Sequence, residues 1–149
     1  MKIETAIRQA KPMQPLQKAI VNLMYTYHWH MERGAAVFKP FDLTPQQFNV
    51  LRILRGKHPN ALPVGEVKCV MLDKNPDLTR LSDRLVQKGL IQRELNPQNR
   101  REVLLQITKT GLDLLEKIEV EMEKAKTHWQ NLTDEEAEQL SDLLDKLRG

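Results

Sequence analysis

Asn75, Thr79, Arg80 and Arg84 share one ten-residue stretch, and Arg100 and Arg101 follow beside the turn-forming run Asn96-Pro97-Gln98-Asn99. A guanidinium is a planar fork of donors that can grip two acceptors at once, on a phosphate or on the edge of a guanine. Hydroxyl and amide groups beside it add further hydrogen bonds. The surrounding charge agrees: residues 74–101 hold seven basic and three acidic side chains, whereas residues 109–149 hold six basic and eleven acidic ones. A net charge of +3 thus conceals a basic middle and an acidic tail. Basic density of this kind is the footprint of phosphate contact, although a merely solvated face can share the composition.

Each of these side chains has a plainer reading as well. Arg80 is the first choice for a base-edge contact, weighed against a solvated helix arginine. Thr79 and Asn75 suit a base or a phosphate, and Asn75 suits a helix cap equally. Arg84 either meets a phosphate or pairs with Asp83 or another carboxylate. Arg101 is preferred over Arg100 for a groove, because neighbours on a regular strand point to opposite faces.

Other chemistry is thinner. Tyr25, Tyr27, His28, Trp29 and His30 cluster in one segment. Tyr25, His28 and Trp29, with Phe48, could line a pocket for a small aromatic molecule; the plainer reading is packing and surface. A helix points His28 and His30 in different directions, so that pair is not expected to share a metal. Cys69 is the single cysteine, which excludes an intrachain disulfide and fits a reducing cytoplasm. Its neighbours Val67, Val70 and Met71 suggest a half-buried, inert thiol, with redox sensing as the alternative. No glycine-rich phosphate loop, nucleophile elbow, metal-ligand spacing or acid–base pair is recognisable, so neither an enzyme nor a cofactor is expected. The first residues lack the apolar core of a signal peptide, and no run approaches the ~20 apolar residues of a membrane helix. A soluble, cytoplasmic protein is expected.

The elements that must position these residues follow from periodicity. Leu16, Ala19, Ile20, Leu23, Met24, Tyr27 and Met31 recur at steps of three and four, which predicts a long helix from Pro15 to Phe38 that ends at Lys39-Pro40. Thr44-Pro45-Gln46-Gln47 is a helix start, with Phe48, Leu51 and Leu54 as its inner face. A short helix is expected over Pro63–Met71 with Val64, Val67 and Val70 inward. The next begins at Asn75-Pro76, buries Leu78, Leu81 and Leu85, and closes at Gly89. The period then changes to two, giving a hairpin of Ile91–Leu95 and Val103–Ile107 around the basic turn. Two further helices carry Leu112, Leu115, Ile118, Met122, Ala125 and Trp129, and then Ala137, Leu140, Leu144 and Leu147. The second opens on a Thr133–Glu136 capping box.

Helix, short helix, polar-faced helix and arginine-tipped hairpin, in that order, can present the third element to a major groove and the hairpin to the adjoining backbone or minor groove. Here the chain resembles the multiple antibiotic resistance regulator (MarR) family of winged-helix transcription factors, from about Leu16 to Leu147. The resemblance is carried by Leu43-Thr44-Pro45-Gln46-Gln47-Phe48-Asn49-Val50-Leu51 and by Leu78-Thr79-Arg80-Leu81-Ser82-Asp83-Arg84-Leu85-Val86-Gln87-Lys88-Gly89-Leu90-Ile91. Asn99-Arg100-Arg101-Glu102-Val103 and Leu105-Gln106-Ile107-Thr108-Lys109-Thr110-Gly111 match the family's wing and the start of its next helix. The family's wing usually reads Asp-x-Arg. Asn99 stands at its first position here, which removes an ion pair that would orient Arg101. Pro76 and Asp77 are likewise individual to this chain, and the cysteine that the family's peroxide sensors carry near the first helix is missing.

The resemblance implies a mainly α fold with a small hairpin wing: a winged helix-turn-helix lobe over residues 44–108 and a helical dimerisation lobe over 12–38 and 109–147. It implies a homodimer on a pseudo-palindromic operator, usually a repressor; many members release double-stranded DNA when a small aromatic or phenolic ligand binds. The three apolar helix stripes independently call for a partner, with Leu16, Ile20, Leu140, Leu144 and Leu147 as dimerisation residues. A winged-helix module that binds protein rather than DNA is the alternative from another class.

Overall fold

A computed structural model describes residues 1–73, 76–125 and 131–149 of the chain. They fall into two compact units, Met1–Pro45 and Gln46–Gly149. Among the described residues, no helix is long and apolar enough to cross a membrane.

The first unit is built on helices α1 (Ile3–Ala6) and α2 (Pro15–Phe38). Lys18 Nζ on α2 meets Glu4 Oε1 on α1 at 2.5 Å. Proline at the first position of α2 costs nothing, because that N–H has no intrahelical acceptor. At the other end Pro40 enters a 3-10 turn, Lys39–Phe41, which closes with Asp42 in the left-handed conformation. The helix therefore stops where the sequence predicts. Its apolar row is turned to solvent: Leu16, Ile20, Leu23, Met24 and Tyr27 are all exposed.

The second unit starts with α3 (Pro45–Arg55), which buries Gln47, Phe48, Val50, Leu51 and Leu54. Strand β1 (Leu62–Pro63) and helix α4 (Val64–Val70) follow. Only part of the α4 expectation holds. Val67 is buried and Val64 half-buried, but Val70 is 61% exposed, and the buried residue on that side is Met71 at 6%. Positions 64, 67 and 71 share one helical face, so the inner stripe continues through Met71 rather than Val70. Cys69 is exposed as well, contrary to the half-buried placement expected for it.

Helix α5 (Leu78–Gln87) buries Leu78, Ser82 and Leu85. It begins later than the sequence suggests. Asp77 is the cap, its Oδ1 accepting the Arg80 N–H at 3.1 Å, and Pro76 lies outside the helix. Asn75 is the cap expected from the sequence; Asp and Asn cap about equally well, so residue type alone does not favour it over Asp77 two positions on. At the far end Gly89 takes φ 68°, and the Leu90 N–H returns to Leu85 O at 3.0 Å, satisfying carbonyls the helix leaves open.

Strands β2 (Ile91–Asn96) and β3 (Asn99–Ile107) form an antiparallel hairpin, and β1 adds to β3, giving the order β1-β3-β2. The β1 pairing, Leu62 with Leu105 and Pro63 with Leu104, is not foreseen by the sequence. Helix α6 (Lys109–Ala125) docks closely at its first turn. Thr108 Oγ1 accepts the Gly111 N–H and donates to Gly89 O, and a Cβ at Gly111 would lie 2.3 Å from Leu90 O. Glycine is required there by the approach of two backbones. Leu115 and Ile118 of α6 are fully buried. Helix α7 (Asp134–Arg148) starts with the expected capping box of Thr133 and Glu136. Its Leu140, Leu143 and Leu147 are exposed and Leu144 half-buried. The Trp129 assigned to the α6 stripe lies outside the described residues.

Candidate nucleic-acid interface

Helices α4 and α5 stand in helix-turn-helix order, and the outer face of α5 is polar because its apolar face is spent inside the unit. Thr79, Arg80, Asp83 and Arg84 are exposed. Arg80 and Arg84, four residues apart, share one side of the helix a turn from each other. Ser82 faces the other way and satisfies its hydroxyl within the helix, donating to Thr79 O at 2.9 Å. The Asp77 cap holds the first turn, so the backbone beneath Thr79 and Arg80 is fixed. Asn75 lies outside the described residues.

The alternative partner for Arg84 goes elsewhere. Asp83 Oδ1 pairs with Arg93 Nη1 at 2.5 Å, joining α5 to strand β2. Among the described residues, Arg80, Arg84, Arg100 and Arg101 have no carboxylate partner. Four uncompensated guanidinium groups thus belong to the helix and the hairpin tip. The Asp83–Arg93 pair was not singled out by sequence reasoning. The only hint was an acidic residue on an otherwise basic face, and its partner depends on how the strand packs.

The hairpin tip departs from a regular ladder. Leu95 pairs with Val103 and Asn96 with Asn99, so Arg100, Arg101 and Glu102 have no residue opposite. The expected alternation of Arg100 and Arg101 is therefore interrupted, as at any bulge. Side-chain amides organise the tip instead. Asn96 accepts the Gln98 N–H at 2.9 Å and donates to the Glu102 carboxylate, while Asn99 Oδ1 accepts the Arg101 N–H at 3.3 Å. Asn99 thus acts on the backbone of Arg101 rather than on its side chain. A cleft of about 400 Å³ between helix and hairpin is lined by Val64, Thr79, Ser82, Arg93, Asn99 and Arg101. Arg101 faces it.

The other candidates are more dispersed. Tyr25 and His28 are exposed on α2 and Trp29 is half-buried, with the Arg33 guanidinium 4.7 Å from its ring centre. Phe48 belongs to the second unit, is 6% exposed and has Arg52 over its ring at 5.9 Å. Cys69 lines a second cleft, of about 540 Å³, with Arg52, Ile53, Lys57, Leu62 and Val70.

Residues 43–103 match the MarR family model, which spans α3 to the hairpin. The multiple antibiotic resistance protein MarR of Escherichia coli is 36% identical over 110 residues, covering 72% of this chain and 75% of that protein. An uncharacterised helix-turn-helix transcriptional regulator of Bacillus subtilis, YhbI, is 31% identical over 88 residues; the match spans 59% of this chain and a little over half, 56%, of that protein. Among solved structures, a mutant E. coli MarR in complex with operator DNA superposes with a TM-score of 0.71 at 30% identity, covering 90% of this chain and 99% of that one. The order of elements, the exposed arginines and these likenesses agree: the chain belongs to the MarR family of winged-helix, DNA-binding transcriptional regulators.

Proposed function

We propose that the protein acts as a homodimeric repressor on a pseudo-palindromic operator, with α5 in the major groove and the β2–β3 hairpin as its wing. The observation that carries this reading is the pair Arg80 and Arg84, exposed on one side of a capped helix without carboxylate partners among the described residues. Arg80 reads a base edge, Thr79 and Arg84 hold phosphates, and Arg101, with Arg100 beside it, reaches the neighbouring groove or backbone. Asn75 belongs to the same surface in this reading. Residues 44–108 form the DNA-binding lobe and residues 12–38 and 109–147 the dimerisation lobe, where Leu16, Ile20, Leu140, Leu144 and Leu147 meet their counterparts across a two-fold axis. Such an axis sets two recognition helices about one DNA turn apart, ~34 Å. The likeness to an operator-bound MarR structure supports the same arrangement. The protein works in the cytoplasm and has no catalytic role.

Fluorescence anisotropy with a duplex selected by the protein and a scrambled control tests the assignment. Arg80→Ala lowers specific affinity by ~1–3 kcal/mol, the scale of one bidentate base contact, and narrows the gap to the control. An unchanged ratio between the two duplexes refutes it. Steep salt dependence on both duplexes separates DNA binding from a protein-interaction module.

A small aromatic ligand is the proposed effector, with Tyr25, His28 and Trp29 as its contacts on α2. The support is three ring-bearing side chains within one turn of α2, two of them exposed. Titration of salicylate against Trp fluorescence checks it, since Trp29→Phe should remove most of the signal change.

A further inference from the structure

Arg55 Nη2 on α3 meets Glu119 Oε1 on α6 at 2.6 Å, sixty-four positions away in sequence. The pair does not stand alone. The Arg55 hydrogen bond, and then the charge of Arg52, hold the Glu119 carboxyl below its usual range, while Glu119, and then Glu116, raise Arg55. Arg52 and Arg55 are three residues apart on α3, and Glu116 and Glu119 three apart on α6. Each pair therefore shares a helix face, one basic and one acidic. The Arg55–Glu119 contact, with Arg52 and Glu116 adding charge of matching sign at longer range, makes a charge-complementary seam between a helix of the winged lobe and the helix that leaves it.

The seam is half-exposed, with side-chain accessibilities of 34% and 44% for Arg55 and Glu119, so it contributes little to stability. Its value is direction. Leu115 and Ile118 bury apolar surface, which is favourable over a range of angles because the hydrophobic effect has no orientation. Gly111, packed on Leu90 O, fixes one point of α6 near its start. Glu119 lies eight residues further on, roughly 12 Å at the rise of an α-helix. A charge-assisted hydrogen bond there, directional and short, supplies the second point that a direction needs.

We infer that Arg55 and Glu119, supported by Arg52 and Glu116, are positioning residues: a strut that fixes α6 against the winged lobe and so sets which separation of half-sites the dimer accepts. The inference rests on the dimeric DNA-binding reading above. Neither partner need touch DNA. A direct role for Arg55 at phosphate makes the opposite forecast for Glu119, because deleting a carboxylate beside a DNA-binding surface should by itself strengthen binding.

The test uses the full chain. Wild type selects bound duplexes from a random-sequence library, and the winning duplex is remade with one or two base pairs inserted or deleted at its symmetry centre. Glu119→Ala and the closer isostere Glu119→Gln should bind the parent duplex several-fold more weakly and lose most of the wild-type preference for its spacing. Their slope of log affinity against log salt should not change, because the number of phosphate contacts is unaltered. The reversal Arg55→Glu with Glu119→Arg should restore much of the spacing preference. Folding is monitored by thermal melting, and Glu119→Gln with an unaltered melt keeps the test decisive if the alanine variant is damaged. The strut is overturned if Glu119→Gln keeps the wild-type spacing preference, or if it binds every spacing more tightly by one common factor. A wild-type protein that selects no duplex overturns the DNA reading itself, and this inference with it.

Discussion

Helices α5 and α2 are both amphipathic, and the molecule treats their faces in opposite ways. On α5 the apolar face is satisfied inside one chain: Leu78 and Leu85 are buried at 4% and 0%, and what remains outside is charged or polar apart from Val86 at the last turn. On α2 the apolar row is itself outside, with Leu16 at 63% and Met24 at 58% exposed. Helix α7 resembles α2, since Leu140, Leu143 and Leu147 are all exposed. A helix whose leftover surface is cationic is suited to a polyanion. One whose leftover surface is a row of leucines is suited to another apolar row, because contiguous exposed apolar patches mark interaction surfaces. The same physical rule thus assigns the two regions different partners.

The comparison is broken most severely by charging the α2 and α7 rows. Ile20→Glu combined with Leu140→Glu should convert a dimer into a monomer, read by sedimentation or light scattering. Specific DNA affinity should fall by about 100-fold or more, because a monomer holds one half-site and loses the linked second contact. A double variant that remains dimeric removes these rows from the interface.

Within α5 the two faces can be separated by paired substitutions. Leu85→Ala empties a fully buried site and should destabilise the fold by ~2–5 kcal/mol, lowering the melting temperature markedly. Arg80→Ala should leave that temperature nearly unchanged while costing specificity, as argued above. Denaturation and anisotropy on the same two proteins check both. If Arg80→Ala melts early, the side chain has a structural duty that its exposure does not suggest.

What the sequence made legible was governed by local rules. The extent of α2, the start of α3, the Gly89 closure, the Thr133–Glu136 box and the existence of the hairpin follow from periodicity, capping and glycine chemistry within a few residues of each position, although β3 begins at Asn99 rather than at Val103. The exposed set Thr79, Arg80 and Arg84 followed too, because the leucine spacing on α5 fixes which side remains for solvent. Missing were the features made by tertiary approach. Strand β1 is only Leu62–Pro63, too short to show alternation, and exists through its pairing with β3. The Asp83–Arg93 and Arg55–Glu119 pairs join elements whose contact no local pattern encodes. The hairpin tip misled for a related reason. Alternation assigns opposite faces to Arg100 and Arg101 only if the ladder is regular, and three residues without opposite partners interrupt it.

The smallest expected effect probes how the polar side of α5, the proposed DNA contact, depends on its own first turn. Asp77 does two things at once: its carboxylate caps the Arg80 N–H, and its negative charge stands beside the surface proposed to meet phosphate. Alanine removes both, and the two consequences oppose each other in binding. Loss of the cap should cost ~0.5–2 kcal/mol of stability and loosen the turn that carries Thr79 and Arg80. Loss of the charge should favour any duplex. Asparagine separates them, because it caps about as well as aspartate without the charge. Asp77→Asn should therefore melt like wild type and bind specific and scrambled duplexes slightly more tightly by the same factor. Asp77→Ala should melt earlier and lose part of the difference between the two duplexes. Equal behaviour of the two variants would mean that the charge, and not the cap, is what the recognition helix draws from this position.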